Sequence, residues 1–445
     1  MTPHAKNVFT SDRKRVLMLY DHNETHVKTI AHYLESFYRY SEFQYSYVSS
    51  FAPCRFDLNY FDAVVLHYSV RVCHTGHLST SFATALRNHK GLKVIYLQDE
   101  YEHTNLTHQA ILDLGINIVF TCVPEESVTN VYPPDKFPDV RFVSILTGYV
   151  PLSLEEISSQ KPLAERPILI GYRGRRIGPW YGDLGQEKLV IGQRMKKICD
   201  DRGLITDIAW EEKDRIYGSW FEFLGNSKAT LGTESGANVF DRDGQLAIEI
   251  QREQYRNPNI TYEEIREKFL KGREGEVIMN QISPKIFEAI ATRTALILYE
   301  GRYSGIVEPH KHYLPLKKDF SNVDEVLGKL NDNALLEEMT TRAYDDVIRS
   351  GRYAYPAFVR MTDRVLAESM PQRDRPAPLW LPLPPCDALP SFAKNYAKTF
   401  GVSLIWQLGK SLVSRERLKR LWIMSPAPVR FVCRPILHLM RGALK

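Results

Sequence analysis

At 445 residues the chain exceeds what one hydrophobic core commonly supports, so two or three domains are expected. Apolar residues make up 44% and charged residues 25%, a globular balance that excludes a disordered or fibrous protein. The net charge of +5 comes from the tail: Lys410 to Lys445 carries nine Lys or Arg against the acid Glu416, the remainder sums to about −3, and nucleic-acid binding is not expected.

The chain opens with a short polar stretch, residues 1–13, expected to be flexible, and no apolar run of signal-peptide or membrane-spanning length follows. A cytoplasmic protein is expected. The first half, residues 14–155, alternates β-branched or aromatic runs with helical stretches, the pattern of repeated βαβ units around a parallel sheet. Strands are predicted at Val16 to Tyr20, Tyr45 to Ser49, Ala63 to Tyr68, Val94 to Gln98, Ile118 to Cys122 and Phe142 to Leu146. Continuous apolar runs such as VVLHY and KVIYL suit strands covered on both faces. The polar stretch SLEEISSQKPLAERP after Pro151 reads as a linker.

A second half, residues 160–350, repeats the alternation, with strands at Ile168 to Tyr172, Asp207 to Trp210, Ala229 to Gly232, Ala295 to Tyr299 and Tyr313 to Leu316, and a helix at Glu187 to Asp200. Residues 236–280 form a charged segment read as a mostly helical insertion. After residues 351–370 a linker is expected over 371–390, where seven prolines remove amide donors, then a basic amphipathic tail over 391–445 with helices. The six cysteines, Cys54, Cys73, Cys122, Cys199, Cys386 and Cys433, form no CxxC pair and read as reduced, mostly buried thiols.

Ligands of doubly wound sheets bind beyond the carboxyl ends of the strands, which directs attention to four loops. Tyr172-Arg173-Gly174-Arg175-Arg176 offers glycine for close backbone approach and guanidinium groups for a diphosphate. Ser283-Pro284-Lys285 begins a helix whose amides and lysine favour a phosphate; Glu288 is either a ribose ligand or a capping-box residue with a local task. Glu234, Ser235 and Gly236 form a small-residue loop suited to a sugar pocket, and Asp241-Arg242-Asp243-Gly244 reads as a turn. In the first half, Asp99, Glu100 and His103 follow a strand and supply carboxylate or imidazole candidates for a general base. His22 with His26, and Cys73 with His74 and His77, lack the further ligands of a zinc site. His310 and His312 adjoin the helix–strand segment.

The run SPKIFEAIATRTALILYEGRYSGIVEPHKHYLPLKKDFSNVDEVLGKL resembles the donor-binding region of GT-B glycosyltransferases of the group 1 type, in particular a bacterial surface-glycan subgroup. Similar motifs of that subgroup match Gln98 to Tyr101, Cys122 to Glu125, Tyr172 to Arg175 and Glu234 to Gly244, so the resemblance covers roughly residues 15 to 365. It implies an α/β chain of GT-B type: two Rossmann-like domains facing across a cleft, acceptor in the first, nucleotide-sugar donor in the second, and a helix crossing back to the first. It also implies ribose binding by Glu288, a basic side of Arg173, Arg175 and Lys188 against the leaving diphosphate, donor-side positions at Ser304 and Gly305 in the YSG element, and no divalent metal or other cofactor. One departure stands out. The E-x7-E pattern of the group places a glutamate where this chain has Asn280, which leaves retaining or inverting stereochemistry open.

Transfer from a nucleotide-diphosphate sugar to a glycan or lipid-linked acceptor of a bacterial surface polysaccharide is therefore the leading expectation. A nucleotide-sugar epimerase and a non-catalytic membrane-recruiting scaffold are the alternatives, and the basic residues 400–445 suit an anionic membrane surface at its cytoplasmic face. A receiver-type regulator is excluded because VVLHYSVR supplies no phosphate-accepting aspartate.

Overall fold

The computed structural model describes residues 13–154, 161–216 and 219–372. The N-terminal stretch before Arg13, most of the proline-rich linker, the basic tail with its membrane assignment, and Cys386 and Cys433 lie outside the described residues. Within them no helix is long and apolar enough to cross a membrane.

All strands expected from the sequence form, with ends displaced by a residue or two. In the first half β1 (Arg15–Tyr20), α1 (Lys28–Tyr40), β2 (Gln44–Ser49), β3 (Ala63–Leu66), α2 (Thr80–Asn88), β4 (Leu92–Tyr96), α3 (Thr104–Leu114), β5 (Ile118–Thr121), the short α4 (Val128–Val131) and β6 (Arg141–Ser144) follow in order. The sheet runs β2-β1-β3-β4-β5-β6, every pair parallel, with Val16 beside both Tyr45 and Ala63. The four residues of β3 are buried without exception, as sheets covered on both faces require.

The second half contains β7 (Ile168–Arg173), α5 (Gly182–Asp201), β8 (Thr206–Ala209), α6 (Trp220–Gly225), β9 (Ser227–Gly232), α7 (Gln245–Arg256), α8 (Tyr262–Ile265), α9 (Pro284–Ala291), β10 (Ala295–Tyr299), β11 (Leu314–Leu316), α10 (Val323–Lys329) and α11 (Asn333–Ala343). Its parallel sheet runs β11-β10-β9-β7-β8. Both sheets thus reverse strand order between their first and third strands, the place where open α/β sheets leave a crevice. One face of the second sheet packs Ile170, Ile208 and Ile297 against Ile191 and Met195 of α5; the other packs Leu296 and Leu298 against Ile286, Phe287 and Ile290 of α9.

The insertion is less helical than expected. Helix covers Gln245–Arg256 and Tyr262–Ile265, continued by a π-helical turn at Arg266–Leu270; the rest is loop. Gly236, Gly244, Gly272 and Gly275 all take positive φ, where glycine alone is unstrained, and these positions break the helix.

After α11 the chain returns to the first half as α12 (Tyr355–Ser369), packed on α1. Tyr33 and Tyr149 hold the Phe358 ring at centroid separations of 5.2 and 4.2 Å, and Asp363 accepts hydrogen bonds from Ser41 Oγ and the Glu42 amide. Phe358→Ala is expected to lower unfolding free energy by about 3–5 kcal/mol, since the cavity lies where α1, the sheet and the returning helix meet. Equilibrium denaturation checks this; a loss under about 1 kcal/mol would mean that α12 contributes little to the first half.

Candidate active site

A cavity of about 540 Å³ opens between the carboxyl ends of the two sheets, and a smaller one of about 180 Å³ adjoins it. Tyr101, Glu102, Trp180 and Tyr181 line both.

The wall from the second half is cationic. Strand β7 ends at Arg173, and Gly174 follows so close to α5 that an added Cβ would lie 2.9 Å from the Lys188 carbonyl oxygen. This close approach brings Arg175 and Lys188 to the cavity, where Lys285 joins them from the first turn of α9. Burial, then the charges of Lys285 and Arg175, lowers the Lys188 ammonium to about 8, with Asp99 opposing. Lys285 is also lowered, first by the crowding cleft walls although its side chain stays open to solvent, then by Arg215 and Arg175. Its Nζ donates to the Arg173 carbonyl at 3.1 Å and lies 5.5 Å from the Trp220 ring. Neither Arg175 nor Lys188 has an ion-pair partner among the described residues. Arg175 and two lysines whose ammonium groups are disfavoured by burial and by neighbouring cations, with Glu288 and Asp99 offsetting only in part, are organised for an anion from outside.

Arg173 itself is corrected. Arg173 lines the cavity, but its guanidinium is already engaged: it donates to the Asp207 carboxylate and carbonyl and to the Asp214 carbonyl, and packs over Phe223. It braces β7 against β8 and is not available to a phosphate.

At the start of α9, Ser283 occupies the N-cap position without a side-chain bond and Pro284 takes the first helical position. The leading amides are therefore not capped by Ser283. Glu288 lies a full turn in, too far along for a capping box. Its Oε2 instead accepts from Trp220 Nε1 at 2.8 Å, and desolvation raises its pKa against the pull of that bond and of Lys285.

Behind this helix start lies a bracing layer. Glu234 is buried and accepts from the Arg302 and Tyr303 amides and from Asn280 Nδ2, the last at 2.6 Å. The carboxylate beside position 280 is thus supplied from after β9. Ser304 donates to Gln281 Oε1 and accepts from the Ile282 amide, while Gly305, at φ 71°, closes the turn; neither touches the cavity. Ser235 and Gly236 do line it, with Ser235 and Gln281 exchanging both backbone bonds. Gly236 has φ 109°, and an added Cβ would sit 2.0 Å from the Met279 carbonyl oxygen. Gly236→Ala should consequently displace this loop and cost about 1–3 kcal/mol, a loss that thermal denaturation of the variant measures; parent-like stability would show that the loop adapts.

The first half contributes Asp99, held at φ 58° with its carboxylate exposed at the cavity and accepting from the Tyr101 hydroxyl. Aspartate is among the non-glycine residues that adopt this left-handed conformation most readily. Glu100 points the other way. Buried, it accepts from Thr121 Oγ1 and the Cys122 amide, and burial pushes its carboxyl up to about 7, so it is a core residue and not a cleft base. His103 begins α3 and reaches the smaller cavity beside Gly244, not the larger one.

The Asp241 carboxylate accepts from the Leu246 and Ala247 amides at the start of α7, which makes it the turn residue the sequence suggested. His312 is buried, with Nδ1 accepting from the Glu308 amide and Nε2 against Asp346, a structural role. Among the described residues no three His, Cys, Asp or Glu side chains are grouped to hold a metal ion. Four thiols are free there; Cys122 and Cys199 are buried and Cys54 and Cys73 half-buried. The aromatic wall of Tyr101, Trp180, Tyr181 and Trp220 was not singled out from sequence, although Trp180-Tyr181 directly follows the glycine–arginine loop.

No protein-family profile and no curated protein sequence matches the chain. Solved structures do. An alpha-glucosyltransferase in complex with UDP-glucose and DNA containing an abasic site superposes with a TM-score of 0.50 at 10% identity, covering 80% of this chain and 99% of its own. Anabaena Alr3699/HepE in complex with UDP gives 0.45 at 8% identity over 80% and 100%, and a mutant of S. aureus TarM gives 0.39 at 13% over 68% and 55%. The first of these carries the likeness: the chain has the GT-B fold.

Proposed function

We propose that the chain is a glycosyltransferase that moves a sugar from a nucleotide-diphosphate sugar to a glycan or lipid-linked acceptor in bacterial surface polysaccharide synthesis. The supporting observation is the convergence of Arg175, Lys188 and Lys285, none of them in a salt bridge among the described residues, beside the uncapped start of α9. That is the chemistry a diphosphate requires. The neighbour with matching fold is described in complex with UDP-glucose.

In this reading the diphosphate rests on the three cations, and the ribose lies against Trp220, which lines the cavity, and the Glu288 carboxylate that it holds, which stands outside the lining itself. The bond between the sugar anomeric carbon and the diphosphate oxygen breaks, its electron pair stays on that oxygen, and the cations stabilise the charge. The acceptor hydroxyl forms the new bond and gives its proton to Asp99. Since the protein supplies three positive charges, we assign no divalent metal, and nucleotide release in EDTA should match that in magnesium; a large loss in EDTA would refute metal independence.

The same neighbour is described with DNA. Here the first-half wall presents the exposed Asp99 carboxylate, with Glu102 beside it paired to Arg71; Asp99 would repel a phosphate backbone, and this favours an uncharged acceptor. Peripheral attachment at the inner membrane face through residues 400–445 belongs to the same proposal and rests on the charge of that tail alone.

Glu288→Ala should weaken UDP binding about tenfold or more by calorimetry while thermal stability is kept, the loss expected for a charged hydrogen-bond partner. Unchanged affinity would remove Glu288 from the donor site.

A further inference from the structure

Beyond the smaller cavity, the carboxyl edge of the first sheet carries a line of rings. His22 follows β1, Phe51 follows β2, His77 and His74 lie in the loop after β3, and His103 lies in the loop after β4. Successive centroids from His22 through Phe51, His77 and His74 to His103 are separated by 5.7, 5.8, 5.6 and 5.4 Å. The line ends in the smaller cavity, which His103 shares with Trp180 and Tyr181. It also crosses the gap between β1 and β3, where this sheet reverses strand order and where such sheets receive ligands.

The rings are not stacked into a core. His22 and Phe51 are exposed, Phe51 by 37%, while His74, His77 and His103 are half-buried. Interplanar angles of 80°, 48°, 45° and 76° tilt each ring against the next. Aromatic faces accept the C–H surfaces of a pyranose. The spacing is comparable to the advance of one monosaccharide along an extended glycan. Charge argues against a polyanion: the Arg71 guanidinium beside the line is engaged by Glu102, and Asp21 lies 3.9 Å from His77 Nδ1.

We propose that this line of rings is an extended acceptor subsite that holds a neutral oligosaccharide of several units, its terminal sugar passing by way of the smaller cavity to Asp99 in the adjoining larger one. The proposal rests on the glycosyltransferase reading.

The test is an array of neutral oligosaccharides, from monosaccharide to hexasaccharide in glucose, galactose, mannose and N-acetylglucosamine series, together with short duplex DNA, probed with the full chain in saturating UDP. UDP affinity is measured on the same preparations. At least one series should bind more tightly with length, and Phe51→Ala and His77→Ala should weaken its longest members roughly 3- to 10-fold. Phe51→Tyr, which keeps the ring, should bind like the parent. Length-independent binding, parent-like binding by both alanine variants, preference for DNA, or no oligosaccharide bound while UDP binds would each overturn the subsite. Failure to bind UDP and likewise GDP, ADP and dTDP would instead overturn the glycosyltransferase reading, and the subsite with it.

Discussion

Lys188→Met is expected to weaken UDP binding about 10- to 100-fold, because a charged hydrogen bond contributes about 1.5–3 kcal/mol and no neighbouring cation can take the same place. Its pH dependence is more diagnostic. The ammonium is lowered to about 8 by burial and by Lys285 and Arg175, so it is charged below that value and loses its proton as pH rises through it. UDP affinity should hold steady at neutral pH and fall from about pH 8 upward, and the variant should lack this fall. The unliganded protein responds in the opposite direction. An unfolded lysine titrates near about 10.4, so between the two values the unfolded chain binds more protons and Lys188 adds stability with rising pH. Calorimetry and denaturation across that range read both signs; an identical affinity profile in parent and variant would place Lys188 away from the anion.

Asp99→Asn should reduce sugar transfer about 10²- to 10⁴-fold, the range for loss of a general base, while UDP affinity persists. The amide keeps the size and the acceptor oxygen that the Tyr101 hydroxyl uses, so the left-handed turn should form as before. The comparison is nucleotide release from a panel of UDP-sugars with the oligosaccharide that binds best. Unimpaired turnover would pass the base role to another group, with Glu102 next in place on the cavity wall.

The sheets were legible because their strands are short apolar runs between glycine, proline and polar loops, and both faces are covered. Where strands end is set by tertiary contact, and this decided two site residues. The run KVIYLQ reads as strand to Gln98, yet pairing stops at Tyr96 and the backbone turns at Asp99, which sends Asp99 into the cleft and Glu100 into the core. Arg173 was misread for a related reason. Its register partner on β8 is Ala209, which puts Asp207 diagonally across the ladder, within reach of the guanidinium. No local pattern sets the register of strands more than thirty residues apart in sequence. Glu234 and Asn280 show the same limit, since their bond joins segments that the whole insertion separates. Lys285, Gly174 and Gly236 were legible because their chemistry is local: a helix start, a close approach, a left-handed turn.

The most direct test is calorimetric titration of the full chain with UDP, GDP, ADP and dTDP, each beside its own nucleoside. At least one diphosphate should bind at least about tenfold more tightly than its nucleoside, with the difference reduced in Arg175→Ala and Lys188→Met, because the phosphates meet the three cations. Equal affinity for diphosphate and nucleoside, or no diphosphate bound, would contradict a donor site in this cleft.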